Sequence, residues 1–277
     1  MFILIMLAST NEKYKFSLNN ISHSFNASQV ESIEVLRNIN FNVYEHEFLA
    51  LIGPSGCGKS TLLNIMSRLI TPNYGEVLLD GRPLRYITTK IGYVSQADSL
   101  LPWRNLIDNV AIGLEIKGVG KRERRKKAKE LIARAGLEGF EKSYPNELSG
   151  GMRKRADIIK VLAIDPEIIF MDEPFSALDV FTRQMLQDYI LDIWQEIHKT
   201  IIFITHDLTE AITLADRILL MTARPATIKS EYNINLPRPR SSFDIMFEPQ
   251  FIEIHKTIWN DLKEEIAITG EGDNQNF

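Results

Sequence analysis

Five apolar residues, Phe48-Leu-Ala-Leu-Ile52, run directly into a glycine-rich loop, Gly53-Pro-Ser-Gly-Cys-Gly-Lys-Ser60, and no other segment narrows the possible folds so far. A short, continuous apolar run is the pattern of a strand buried on both faces, the kind found inside a parallel sheet covered by helices. The loop fits G-x-x-x-x-G-K-[ST] and stands where that pattern has meaning, after a buried strand and before a helix expected over Lys59 to Ile70. Gly53, Pro54, Ser55, Gly56, Cys57 and Gly58 can turn successive N–H groups inward around phosphate oxygens, and the dipole of the following helix adds positive potential. Lys59 then reaches the β and γ phosphates, Ser60 offers a hydroxyl to Mg2+, and the loop closes at Thr61. The segment from Gly53 to Thr61 thus predicts binding and hydrolysis of a nucleoside triphosphate. A purely structural glycine turn is the alternative, and the flanking elements argue against it.

Further buried runs at Ile168 to Met171, Ile201 to Thr205 and Arg217 to Met221 alternate with helical patterns, which indicates an α/β chain with a mostly parallel sheet. Tyr14 to Ile21 and Ile39 to Tyr44 read as paired strands, and Glu76 to Leu79 leads into a turn at Asp80-Gly81, so an antiparallel β layer is also expected. Asp108 to Leu137 and the segment before Pro166 read as helical throughout, with a loop at Ser143 to Gly151, giving a helical subdomain over about 98–165. Leu236-Pro-Arg-Pro-Arg240 must be extended, and Pro249 can open a helix on which Phe251, Ile254, Ile258 and Leu262 share a face. The domain so outlined runs over 14–265, after an extension at 1–13 and before a disordered tail at 266–277.

A net charge of −4 argues against general affinity for nucleic acid. The basic run Lys121-Arg-Glu-Arg-Arg-Lys-Lys-Ala-Lys129 has helical spacing and reads as a solvated helix face. Met1 to Ala8 is apolar but far shorter than the roughly 20 residues of a spanning helix, and no basic residues precede it as in a secretion signal. Work at a membrane would therefore need a separate subunit. The single cysteine, Cys57, cannot form an internal disulfide and suits a reducing cytoplasmic compartment.

The strand Ile168-Ile-Phe-Met-Asp172 ends in two acids, which suits Asp172 to hold the metal and Glu173 to polarise a water. Leu148-Ser-Gly-Gly-Met152 opens a helix, Ser176-Ala-Leu-Asp179 follows Glu173, Thr205-His206-Asp207 ends the next strand, and Gln96 follows a strand at Ile91 to Ser95. With this set, the chain resembles the ATP-binding subunit of an ABC transporter from about residue 14 to residue 265. The resemblance implies a P-loop NTPase fold of ABC type, with ATP and Mg2+ as cofactors. It makes Phe25 the aromatic that stacks on adenine, where the residues alone also allow a core or hairpin phenylalanine. It gives Gln96 contacts to Mg2+ and the attacking water, and His206 a hydrogen bond to the γ-phosphate that helps to position Glu173. Ser149, Gly150 and Gly151 would face the γ-phosphate bound by the other protomer of a head-to-tail homodimer, although Ser149 could equally be an ordinary helix cap, and Asp179 joins the nucleotide-binding residues. The implied partners are an integral membrane permease and an external solute-binding protein, which places the chain on the cytoplasmic face of the membrane.

Leu100-Leu-Pro-Trp-Arg-Asn105, Asp108-Asn-Val-Ala-Ile-Gly113, Ala223-Arg-Pro225 and Leu236-Pro-Arg-Pro-Arg240 resemble the importer ATPases for nitrate, sulfonate and taurine. There Trp103 would anchor the permease, the alternative being a core tryptophan. One departure stands out. After Met152 the family usually runs Arg-Gln-Arg and then small residues, whereas Arg153-Lys-Arg-Ala-Asp157-Ile-Ile159-Lys160 is found here, and Asp157 needs a partner if it faces inward. A soluble ABC-type ATPase unconnected with transport shares every nucleotide motif. The single nucleotide domain, the lack of a long coiled coil and the Leu101 to Arg104 segment argue against it.

Overall fold

The computed structural model describes residues 14–26, 32–176 and 178–270, so the expected extension at 1–13 and the last seven residues of the expected tail lie outside the described residues. In chain order the strands are β1 (Tyr14–Asn26), β2 (Ser32–Tyr44), β3 (Phe48–Ile52), β4 (Tyr74–Leu79), β5 (Arg82–Pro83), β6 (Ile91–Val94), β7 (Ile168–Asp172), β8 (Thr200–Ile204), β9 (Arg217–Met221) and β10 (Ile228–Asn233). The helices are α1 (Lys59–Met66), α2 (Leu106–Val110), α3 (Ile112–Ile116), α4 (Lys121–Arg134), α5 (Gly150–Leu162), α6 (Val180–Ile197), α7 (Leu208–Leu214) and α8 (Pro249–Ile268).

One sheet has the order β10-β9-β3-β8-β7-β6, parallel except for β10, and the other is antiparallel in the order β2-β1-β4-β5. The apolar runs predicted as buried strands are the inner strands of the parallel sheet, and every residue of β3, β8 and β9 is buried. α1 and the antiparallel layer cover one face of that sheet, around Leu49, Leu51, Phe170 and Ile204. α6, α7 and α8 cover the other face, around Ala50, Phe203 and Leu220. A third cluster, built wholly from residues between Leu100 and Ala163, holds α2 to α5 together. α5 belongs to two cores: Ile158 and Val161 face the sheet, while Ala156 and Ile159 face the helices.

Several boundaries differ from the sequence expectation. The helix expected over Lys59 to Ile70 stops at Met66, because Arg68 turns left-handed (φ 64°) and the Leu69 and Ile70 amides both return to the Asn64 carbonyl. The helix expected over Asp108 to Leu137 is three helices, with Gly118 at φ 77° making the turn before α4. β1 and β2 are longer than their alternating cores, and β10 carries no period-2 pattern because it is a half-exposed edge strand. α8 continues to Ile268, three residues into the expected tail.

Candidate active site

Because β3, β8, β7 and β6 are adjacent and parallel, the segments after them leave the same edge of the sheet: the glycine loop, Thr205-His206, Asp172-Glu173 and Gln96. That edge, beyond the carboxyl ends of the strands, is where open α/β sheets bind ligands. Registers hold the ends level. Asp172 lies opposite Ile204, and Leu51 lies opposite the same residue.

The glycine loop is shaped by close approach. Gly58 has φ 119°, and a Cβ there would stand 2.7 Å from Val35 Cγ1; a Cβ on Gly53 would stand 2.9 Å from the Met221 carbonyl. Neither position admits a side chain. Cys57 is buried, and burial pushes its thiol up, so it packs as a small apolar filler with little thiolate character. Lys59 is buried too, and its Nζ donates to the Gly53 and Pro54 carbonyls, 2.9 Å each. The loop thus holds its own cation in place. Phe25 is exposed at the end of β1, edge-on to His23 at 4.7 Å, and is therefore no core phenylalanine. Its register partner Ile33 lies two residues before Val35, which meets Gly58, so the structure brings Phe25 to the loop side of the antiparallel layer.

Ser60 at the start of α1 donates to Asp172 Oδ1 at 3.1 Å, which joins two of the three predicted metal ligands. Burial pushes the Asp172 carboxyl up, opposed by the Ser60 hydroxyl. Tyr93 on β6 places its hydroxyl 3.4 Å from Asp172 Oδ2 and 3.2 Å from Asn64 Oδ1. Glu173 sits at φ 42°, a strained conformation for a glutamate, held by its amide bond to the Ile204 carbonyl at 3.0 Å. Gln96 Nε2 and His206 Nδ1 both lie 3.3 Å from Glu173 Oε2. Two side chains, each from beyond a different strand end, therefore converge on one carboxylate oxygen at a third.

Ser149, Gly150, Gly151 and Asp179 form a separate group. Ser149 caps α5 by accepting from the Met152 amide at 3.3 Å, and Asp179 caps α6 by accepting from the Thr182 amide at 3.1 Å. Both caps are exposed. They adjoin through Gly151, where a Cβ would meet Thr182 Cγ2 at 2.4 Å. None of the described hydrogen bonds joins this group to the glycine loop.

Some participants were not legible in the sequence. Tyr93 and Asn64 behind Asp172 carried no motif. Lys154 replaces the family glutamine after Met152, is buried, and donates to the Ser95 and Gln96 carbonyls at 2.5 and 3.0 Å, which ties α5 to the glutamine segment. Asp157 does face inward, with no exposed surface on its side chain, and finds its partners in Lys160 Nζ and Ser99 Oγ, 2.7 Å each. The departing residues Asp157 and Lys160 thus pair with each other through Oδ1. The basic run on α4 is partly neutralised by Arg125 to Asp108 at 2.9 Å and Arg124 to Glu115 at 3.4 Å. Trp103 is 71% exposed, which excludes the core alternative.

A mostly parallel sheet with a glycine-lysine-serine loop and an acid pair at its carboxyl edge defines a P-loop nucleoside triphosphatase. Comparison with known proteins narrows that class. The ABC transporter family profile matches residues 36–176. An uncharacterized ABC transporter ATP-binding protein of Methanocaldococcus jannaschii is 47% identical over 92% of this chain and 93% of its own. An aliphatic sulfonates import ATP-binding protein of Bacillus cereus is 42% identical over 87% of this chain and 93% of its own. A taurine import ATP-binding protein of Rhizobium johnstonii is 40% identical over 84% of this chain and 91% of its own. A solved dimeric ATP-binding cassette, bound to ADP and phosphate after hydrolysis, superposes with a TM-score of 0.71 at 34% identity, covering 80% of this chain and all of that one. The chain belongs to the ABC transporter ATP-binding family and is an ATPase of that class.

Proposed function

We propose that this chain is the ATPase subunit of an importer for a small solute, of the sulfonate and taurine kind, and that it works as a head-to-tail homodimer on a separate membrane permease. The convergence of Gln96 and His206 on Glu173, beside the Ser60–Asp172 pair, carries the catalytic part of this reading. Glu173 accepts the proton of a water held by Gln96 as that water attacks the γ-phosphate in line, and His206 orients Glu173 and binds a γ-phosphate oxygen. Lys59 exchanges its loop carbonyls for phosphate oxygens, and Phe25 offers its exposed face to the base.

Mg2+ fits the donors present. Among the described residues no three acidic, histidine or cysteine side chains gather to cage a metal. Ser60, Asp172 and Gln96 are instead the few oxygen donors that Mg2+ uses alongside phosphate oxygens and water. When bound, the ion neutralises phosphate charge.

The exposed caps at Ser149 and Asp179 support the dimer, because backbone N–H groups at a helix start suit phosphate oxygens brought by a second copy. No helix among the described residues is long and apolar enough to cross a membrane. Exposed Trp103 is the anchor for that permease, on the cytoplasmic side, and an external solute-binding protein completes the system.

Glu173→Gln is the direct test. The variant should bind ATP with unchanged affinity and turn over about 10²- to 10⁴-fold more slowly; undiminished turnover would remove Glu173 from the mechanism. Capture of the tagged chain from solubilised native membranes should bring a polytopic protein with it, and only soluble partners would favour the non-transport ATPase.

A further inference from the structure

Glu210 lies on the first turn of α7 with its carboxyl buried, beside the catalytic group but outside the roles assigned above. Its Oε2 accepts from Thr205 Oγ1 at 2.6 Å, and the same hydroxyl oxygen accepts the Asp207 amide at 3.0 Å. Thr205 and Asp207 flank His206, so one carboxylate pins the backbone on both sides of it. Asp207 in turn caps α7, accepting the Thr209 amide at 2.8 Å and the Glu210 amide at 3.3 Å.

Arg183 on α6 faces this assembly. Its Nη1 lies 3.5 Å from Asp207 Oδ2, its Nη2 donates to the Leu178 carbonyl at 3.2 Å, and its Nε stands 3.8 Å from Glu210 Oε1. That Nε is buried and makes no hydrogen bond. The pair is within ion-pair range, and a shift of about 1 Å would bring it to hydrogen-bond distance. Glu173, Ser176, Arg183, Thr205, His206, Asp207 and Glu210 together line a cavity of about 20 Å3, room for one water. Across the cleft, His255 on α8 lies with His206 and Asp207 along a second hollow.

We propose that Glu210 is a positioning residue for His206, and that Arg183, by pairing with the Glu210 carboxylate, couples the segment that caps α6 at Asp179 to the His206–Glu173 contact. The proposal rests on the catalytic reading of Glu173 and His206. Arg183 is well placed for such coupling, since it holds the Leu178 carbonyl next to Asp179 on one side and the His206 segment on the other. Burial, with the Asp207 charge, pushes the Glu210 carboxyl up to about 7, against the Thr205 hydrogen bond and Arg183. The coupling is therefore strong above neutral pH and weak below it.

The experiment compares wild type, Glu210→Gln and Glu210→Asp as full chains by the pH dependence of kcat and KM for ATP, and by NMR titration of the His206 ring. Glu210→Gln keeps an acceptor for Thr205 but no charge. It should lower alkaline kcat about ten- to a hundredfold with KM unchanged, and it should erase the wild-type fall in kcat toward acid. Glu210→Asp should retain that fall. The His206 ring resonance should differ between wild type and Glu210→Gln at alkaline pH, where the Glu210 charge is present, and approach the same position at acid pH, where it is not. A Glu210→Gln variant with wild-type kcat, the same acid fall and an identical His206 titration would overturn the proposal. Wild-type protein without turnover would instead overturn the catalytic reading, and the His206 titration would then decide the present one. Should Glu210→Gln not fold, Arg183→Gln leaves the buried carboxylate in place; wild-type kcat in that variant would equally overturn the coupling.

Discussion

At the scale of single residues, two buried carboxylates, Asp157 and Glu210, make sharp predictions. Asp157 sits against Lys160 and Ser99 with its second oxygen, Oδ2, making no hydrogen bond. Removing one member of a buried pair leaves the other uncompensated, so Asp157→Ala should cost about 3 kcal/mol, read as a lower urea midpoint with an unchanged slope. Glu210 acts through pH. Its carboxyl holds a proton in the fold to about pH 7, against an ordinary value of 4.5, so between those values the native state binds more protons than the unfolded state. The contribution of Glu210 to stability therefore falls as pH rises through that window. Glu210→Gln should abolish the fall and be more stable than wild type at pH 8, by up to about 3 kcal/mol; equal pH–stability curves would contradict the assignment. A residue kept for positioning at a cost in stability is a familiar trade.

At the scale of elements, what was legible in the sequence followed from physics that acts along the chain. The buried strands announced themselves because both their faces are covered, and the phosphate loop because Gly53, Gly58 and Lys59 must stand where the backbone closes on itself. β10, the breaks within 108–137 and the end of α1 were not legible. They depend on an edge with one neighbour and on left-handed residues such as Arg68 and Gly118, which end a helix by backbone conformation and not by a change of hydrophobic period. In the candidate site, the first-contact residues carried motifs, whereas Tyr93, Arg183 and Glu210 carried none: Tyr93 and Arg183 reach partners distant in sequence, and Glu210 acts on Thr205 from the first turn of a helix. The contact of α5 with α6 gives an element-scale test. Gly151→Ala would drive a methyl into Thr182 Cγ2 and should cost about 1–3 kcal/mol. Thr182→Ser removes that methyl, so the double variant should recover most of the loss; failure to recover would mean that the glycine serves its backbone rather than its neighbour.

At the scale of the whole molecule, the strand ends supply a fixed frame, since Gly53, Asp172, Glu173 and Thr205 all leave adjacent strands of one sheet. Ser149 and Gly150 stand instead on α5, whose inner residues are divided between the sheet core and the cluster within 100–163. A cluster with its own interior can open without dissolving the rest. Native-state hydrogen exchange should accordingly sort the backbone into two tiers: amides of β3, β7 and β8 that exchange only through global unfolding, and amides of α2 to α4 that exchange through a cheaper, sub-global opening with a smaller denaturant dependence. A single shared opening energy would mean that α5 welds the two cores into one cooperative unit. If the tiers separate, the part of the molecule that meets other chains is also the part that melts first, and binding those chains would raise its melting point while leaving the sheet's almost unchanged.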